Sequence, residues 1–271
     1  MIIIFPLIGI SSLEFVNFYA SAAGFCFALL ILWSGVGAGV LVIPTLISLF
    51  HLDPLVAIAS GSAFAFISKI MITIGHAKQG SVDWTAAYHF LLICLPVTVI
   101  TAASMAYLST SQSSVTLELF LISAILLAGC LALFALLSAR VKAIISHWPM
   151  VRLSGTTGLL MGVTGVGGGV MVVPALATSG GLAIKAAVAT SIPVGLILSL
   201  AVSITLGSSG HLDYGLVASL VIGAAVAIPT GAHLFHRFSD DLVRRVTCLL
   251  ISIALIDLAL KAINLALQLS L

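Results

Sequence analysis

The sequence points to an all-α integral membrane protein of two inverted-topology repeats, each a Gly/Pro-broken, re-entrant hairpin followed by three transmembrane helices. Composition, an internal repeat at a fixed offset and the placement of the basic residues carry that expectation. Of 271 residues, 61% are hydrophobic and 7% charged. Ten basic and eight acidic side chains could not solvate the surface of a soluble domain this long, so lipid must face much of the chain. The formal net charge of +2 is too small to suggest nucleic acid.

The repeat is sharpest in a Gly-rich stretch written twice. Residues 35–46 read G-V-G-A-G-V-L-V-I-P-T-L, and residues 165–176 read G-V-G-G-G-V-M-V-V-P-A-L, 130 positions later with no gap. Ala38 against Gly168 and Thr45 against Ala175 are the unlike places; the others are identical or exchange one apolar residue for another. A break of this kind frees backbone N–H and C=O groups where lipid can satisfy none of them. Two such breaks at matching places need an explanation.

In chain order, the opening MIIIFPLIGI lacks a positive n-region, and Glu14 and Asn17 interrupt the apolar run after it, which argues against a cleaved signal peptide. Residues 18–50 are one apolar run interrupted by Ser34 and GVGAG. As a straight helix that run would measure roughly 50 Å, against about 30 Å of hydrocarbon. Single spans are expected at 54–75, 84–108 and 115–138. The polar connection 139–153, with Arg140, Lys142, His147, Trp148 and Arg152, divides an N-terminal repeat (1–138) from a C-terminal repeat (154–271). The second half repeats the plan, with a broken segment at 154–179 and spans at 182–207, 213–235 and 242–264. At the same offset Gly80-Ser-Val-Asp83-Trp84 matches Gly210-His-Leu-Asp213-Tyr214. Each places an Asp at the expected N-cap of the next span, beside an interfacial aromatic. Ala57-Ile-Ala-Ser60 falls likewise on Ala187-Val-Ala-Thr190. Cys26, Cys94, Cys130 and Cys248 sit in apolar runs without metal-ligand spacing and read as small buried hydrophobes.

The basic residues bear on topology. Four full crossings per half leave six basic residues on one face and four on the other, which orients nothing. If each Gly-rich segment dips in and returns, each half crosses three times and the second half is inverted. Nine of ten basic residues then share one face, with Lys261 alone opposite. The positive-inside rule makes that face cytoplasmic. The 139–153 segment is then cytoplasmic and the C-terminus outside. Broken helices that cross fully are the alternative.

At each break the glycines let the backbone take φ > 0 and expose successive N–H groups, and the following helix adds the positive end of its dipole. Together these make an anion site without a charged side chain. Gly35, Gly37, Ala38 and Gly39, with Gly165, Gly167, Gly168 and Gly169, are therefore candidate substrate-binding positions. Pro44 and Pro174 either start the following half-helix or leave the carbonyls of Val40 and Val170 unpaired. Ser60, Thr164, Thr190 and Ser191 offer hydroxyls near the tips, although a membrane Ser or Thr can instead bond back to its own helix. Paired breaks in inverted halves mark a transporter's midplane site. Close packing of small residues is the competing explanation.

This pattern resembles the sulfite exporter TauE/SafE family of membrane permeases. GVGAGVLVIP at 35–44, GVTGVGGGVMVVP at 162–174, ATS at 189–191 and the G-x-x-D-[WY] elements at 80–84 and 210–214 carry the resemblance, from about residue 20 to 264. It implies transport of sulfite, thiosulfate or a small organosulfonate across a bacterial cytoplasmic (inner) membrane. Ala38 departs from the all-glycine tip, so the first half would offer fewer backbone donors.

Asp257 is the deepest acid and the candidate for proton coupling, unless Lys261 one turn on neutralises it. His89 and His233 are further candidate proton carriers. His233-x-x-His236 lacks a third ligand for zinc. Lys69 is expected to snorkel towards the cytoplasmic face. No G-x-S-x-G elbow, H-E-x-x-H or nucleotide loop suggests an enzyme, and no cofactor or metal is expected. The expected partners are a small anionic substrate and the lipid bilayer, not nucleic acid; a homo-oligomer is compatible. Two rivals stand beside an anion exporter. One is a membrane scaffold or sensor that moves nothing. The other is a cation permease, which needs inward-facing carboxylates and has only Asp257 and Glu118 to offer.

Overall fold

The computed structural model describes residues 12–34, 39–111, 114–137, 148–166, 171–178, 180–234 and 240–270. Among these, every regular element is an α-helix. The first half comprises α1 (Ser12–Ser34), α2 (Gly39–Leu49), α3 (Pro54–Lys78), α4 (Trp84–Ser111) and α5 (Ser114–Leu137). The second comprises α6 (Met150–Thr164), α7 (Val172–Thr178), α8 (Ile184–Ser208), α9 (Tyr214–Leu234) and α10 (Asp240–Ser270). The described helices end at Ser34 and Thr164 and begin again at Gly39 and Val172, and α3 and α8 begin and end 130 residues apart. Helix α6 already starts at Met150, inside the polar connection, and α10 runs past the expected span at both ends.

Five helices (α3, α4, α5, α8 and α10) are long and apolar enough to cross a bilayer, and the described apolar stretch of α9 runs Tyr214–Ala227. The protein is a multi-pass membrane protein. Aspartate caps start three of the helices, the two at Asp83 and Asp213 as the sequence leads one to expect. Asp53 accepts the N–H of Leu55 at 2.8 Å with Pro54 beginning α3. Asp83 and Asp213 accept the N–H groups of Ala86 and Leu216, each at 2.9 Å. Gly80 and Gly210 turn the chain ahead of these caps with φ of 64° and 84°, a region glycine enters without strain.

Helices α3 and α8 cross at the centre. Just beyond the end of α3, Asp83 donates its N–H to Thr190 Oγ1 near the start of α8, at 2.9 Å. Beyond the end of α8, Asp213 donates to Ser60 Oγ near the start of α3, at 3.1 Å. The two helices therefore run antiparallel, and α4 starts on the face where α8 starts. Helix α6 runs parallel to α4: Gly158 lies against Cys94 and Val97, and Gly162 against Thr98 and Thr101. Helices α1 and α9 approach as closely, Gly24 on Leu220 and Gly223 on Ser21 and Phe25. Small residues at both interfaces bring helix backbones together, which is how membrane helices gain contact without a hydrophobic drive between them.

Cys94 is buried as expected, but Cys26 and Cys130 are exposed. An apolar run in a membrane helix has a lipid face as well as an inner one, so apolar flanks do not place a residue inside. Leu92, Ile100, Phe120, Leu127 and Ile256 are exposed in the same way.

Candidate functional site

The second break begins where α6 ends. Gly165 takes φ 65° and ψ 0° and returns its N–H to Met161 O at 2.9 Å, a left-handed helix ending. The fully buried Thr164 hydroxyl donates to Leu160 O at 2.6 Å and accepts the N–H of Val166 at 3.1 Å. It thus bonds back to its own helix and also holds the second residue of the break, Val166.

The first break comes to meet it. Helix α2 starts at Gly39 and doubles back along α3, setting Ile43, Val42 and Leu46 against Gly61. A Cβ on Gly39 would lie 2.3 Å from the carbonyl oxygen of Gly165 and 3.1 Å from Val166 Cα. The two breaks therefore touch backbone to backbone. A Cβ on Gly165 would in turn meet Ile43 Cδ1 at 2.5 Å, Ile58 Cγ2 at 3.1 Å and Ser62 Oγ at 3.3 Å. Ser62 is 2% exposed and its hydroxyl has no hydrogen-bond partner. An unpaired buried hydroxyl is costly, and this one faces the glycine. Sequence reasoning passed over Ser62 for its neighbour Ser60, because only the docking of the α6 tip shows which face of α3 is turned inward.

The other expected ligands are more dispersed. Ser60 and Thr190, both buried, accept the cross-half N–H groups of Asp213 and Asp83 and so brace the starts of α9 and α4. Ser191 bonds back to Val188 O at 2.7 Å. Pro44 lies inside α2 and denies Val40 its i+4 donor, whereas Pro174 lies in the first turn of α7, where no donor is needed. Gly35, Gly37, Ala38, Gly167, Gly168 and Gly169 lie outside the described residues.

The titratable candidates do not gather at the breaks. Asp257 is exposed, on the wall of an otherwise mostly apolar cavity of about 470 Å³ between α1, α2 and α10. A carboxylate there repels an anion. Lys261 does not neutralise it: α5 carries Glu118 to within 3.6 Å of the Lys261 ammonium, and this tertiary partner takes the place of the i,i+4 pair. Both side chains remain partly exposed, so the pair contributes little. His89 is exposed beside Tyr88, and the side chain of His233 lies outside the described residues.

Lys69 overturns its expectation. It does not snorkel; it is 7% exposed and donates to Gly195 O and Ser199 Oγ of α8, each at 3.2 Å. Nine residues separate it from the end of α3 at Lys78, roughly 13 Å of helix, more than its four-carbon stem can reach. Among the described residues it is the charged side chain that is buried.

No match was found among curated proteins or among solved structures. The sequence model described as Sulfite exporter TauE/SafE matches residues 20–258, from α1 into α10 and across both breaks. On that coverage, and with both glycine breaks inside it, the chain belongs to the sulfite exporter TauE/SafE family.

Proposed function

We propose that the protein exports a small sulfur-containing anion, such as sulfite, thiosulfate or an organosulfonate, by alternating access between two inverted repeats whose glycine breaks hold the substrate. Membership of a transporter family supports transport rather than catalysis. The contact of Gly39 with Gly165 and Val166 carries the assignment of the site, since it joins the two breaks at one buried place beside an unpaired hydroxyl.

Helix directions support the inverted repeat. Helices α3 and α8 are equivalent by position and antiparallel by their hydrogen bonds. Helix α6 runs inward alongside α4 from the face where α8 later starts, so the chain between Met150 and Ile184 enters and returns on one side, as a re-entrant hairpin does. Exchanging the halves carries the Gly158–Cys94 contact onto positions 28 and 224, one helical turn along from Gly24 on Leu220. The first hairpin then docks on α9 as the second docks on α4.

On this topology the 139–153 segment faces the cytoplasm and the C-terminus lies outside the inner membrane. Lys69 leaves the charge tally because it is buried, and the other basic residues still favour the same face. Single cysteines on a cysteine-free background test it. Thiol reagents should reach positions 109–114, 208–212 and the C-terminus from outside, and 139–153 only after permeabilisation. Outside labelling of 139–153 would sink the hairpin topology.

Transport itself is tested by exchange of radiolabelled sulfite and thiosulfate in proteoliposomes. A scaffold or sensor gives none. A cation permease is disfavoured because no carboxylate is buried among the described residues. Ser62→Ala should raise the half-saturating sulfite concentration by about tenfold, the worth of one good hydrogen bond to an anion. The melting temperature should hold or rise, because a buried unpaired hydroxyl has been removed. Unchanged affinity would remove Ser62 from the site.

A further inference from the structure

The reading of the protein as an anion transporter leaves one buried group unexplained, the ammonium of Lys69. It lies within α3 against α8, and its two partners, Gly195 O and Ser199 Oγ, are neutral. The Ser199 hydroxyl is itself committed to Gly195 O at 2.7 Å, which leaves Ser199 Oγ free to accept from the lysine. Among the described residues no carboxylate comes within ion-pair distance of Lys69; the described ion pair is Glu118 with Lys261. Asp53, Asp83 and Asp213 hold helix starts, and Asp257 stands on the cavity wall beside α1 and α2. A cation compensated only by dipoles inside a membrane protein is costly, and cations retained there line pathways or pair with a counter-charge.

Two features of its placement say what that counter-charge is. Ser199 is the residue 130 positions after Lys69, so the ammonium bridges equivalent positions of the two halves where α3 and α8 cross. A single charge at that crossing serves both halves alike. Along α3, Ser62 lies seven residues before Lys69, two helical turns and about 10 Å away on the same face. Ser62 faces the glycine breaks, and Thr73, one turn beyond Lys69, also carries a buried hydroxyl without a partner. Helix α3 thus presents hydroxyl, ammonium and hydroxyl in a row leading away from the breaks.

We propose that Lys69 is the counter-charge of the transported oxyanion, a proposal that rests on the transport function above. Between cycles its N–H groups rest on Gly195 O and Ser199 Oγ. When an oxyanion leaves the breaks past Ser62, the ammonium turns one or more of those bonds to it and neutralises one negative charge in the interior. A cargo carrying at least one full negative charge is required, and an uncharged analogue is not carried.

The test uses the full chain in proteoliposomes, with exchange of radiolabelled sulfite and a melting curve for each variant. Lys69→Met should lower exchange by at least about 30-fold, the scale for losing a buried charge partner. Lys69→Arg should retain much of it. Ser199→Asp supplies a permanent carboxylate to the unaltered lysine. It should raise the melting temperature and lower exchange by a similar factor. A purely structural lysine predicts the same stabilisation for this variant but native exchange. Exchange within twofold of native in folded Lys69→Met or Ser199→Asp overturns the proposal. So does failure of both variants to fold, which would make the lysine a structural tie. Native protein that exchanges neither sulfite nor thiosulfate counts against the transport function itself.

Discussion

A Gly39→Val variant is expected to insert and purify, yet to lose anion exchange by about 100-fold, the scale on which a misplacement near 1 Å disables a positioned site. The Cβ of any residue at 39 would stand 2.3 Å from Gly165 O and 3.0 Å from Gly165 C, both backbone atoms that no rotamer change can move aside. Ordinary carbon contacts need about 3.5 Å, so the breaks must separate by roughly 1 Å for alanine and further for a branched side chain. The lost contact also costs some stability, about 1–3 kcal/mol for overpacking of this kind. Exchange per folded molecule is therefore the decisive measurement, with Gly39→Ala falling between native and Gly39→Val. If exchange per folded molecule stays native while only the melting temperature falls, the glycines serve packing and the paired-break site is wrong.

What the chain's sequence makes legible divides along a physical line. Local features are legible. The caps at Asp83 and Asp213 and the left-handed Gly165 depend on a few neighbouring residues, and the structure shows all three. Features that depend on which face of a helix turns inward are not. A membrane helix is apolar all round, so its sequence carries little of the periodicity that marks the buried face of a soluble helix. Ser62 escapes notice, and Cys26 and Cys130 are misplaced, for that reason. Lys69 and Lys261 defeat expectation because their partners lie far off in sequence. Ser199 and Gly195 neighbour Lys69 only once α8 crosses α3, and Glu118 reaches Lys261 only through the packing of α5 on α10. The 130-residue offset nonetheless places Ser199 opposite Lys69, so a two-fold crossing of equivalent helices would have marked that pair as neighbours.

The largest stability loss is expected from Gly223→Val. A Cβ at 223 would fall 1.9 Å from Ser21 O and 2.7 Å from Phe25 N, and the reciprocal Gly24 would place one 2.1 Å from Leu220 O. Here α1 and α9 touch along their backbones, and the helices must part for the side chain to fit. Lipid supplies no hydrophobic drive to restore the contact, so the lost packing is not recovered elsewhere. A cost of about 3 kcal/mol, at the upper end for overpacking, corresponds to a melting temperature lower by roughly 6–12 °C. Size-exclusion chromatography after graded heating in detergent would measure it. Gly24 lies ten residues before Ser34, about 15 Å along α1 from the first break, so the surviving folded protein should exchange sulfite within about twofold of native. This makes Gly223→Val the counterpart of Gly39→Val: both add the same side chain against the backbone of another segment, and only one does so where the breaks meet. Equal loss of exchange per folded molecule in the two variants would mean that any loosening of the helix bundle stops transport, and the special standing of Gly39 and Gly165 would be lost.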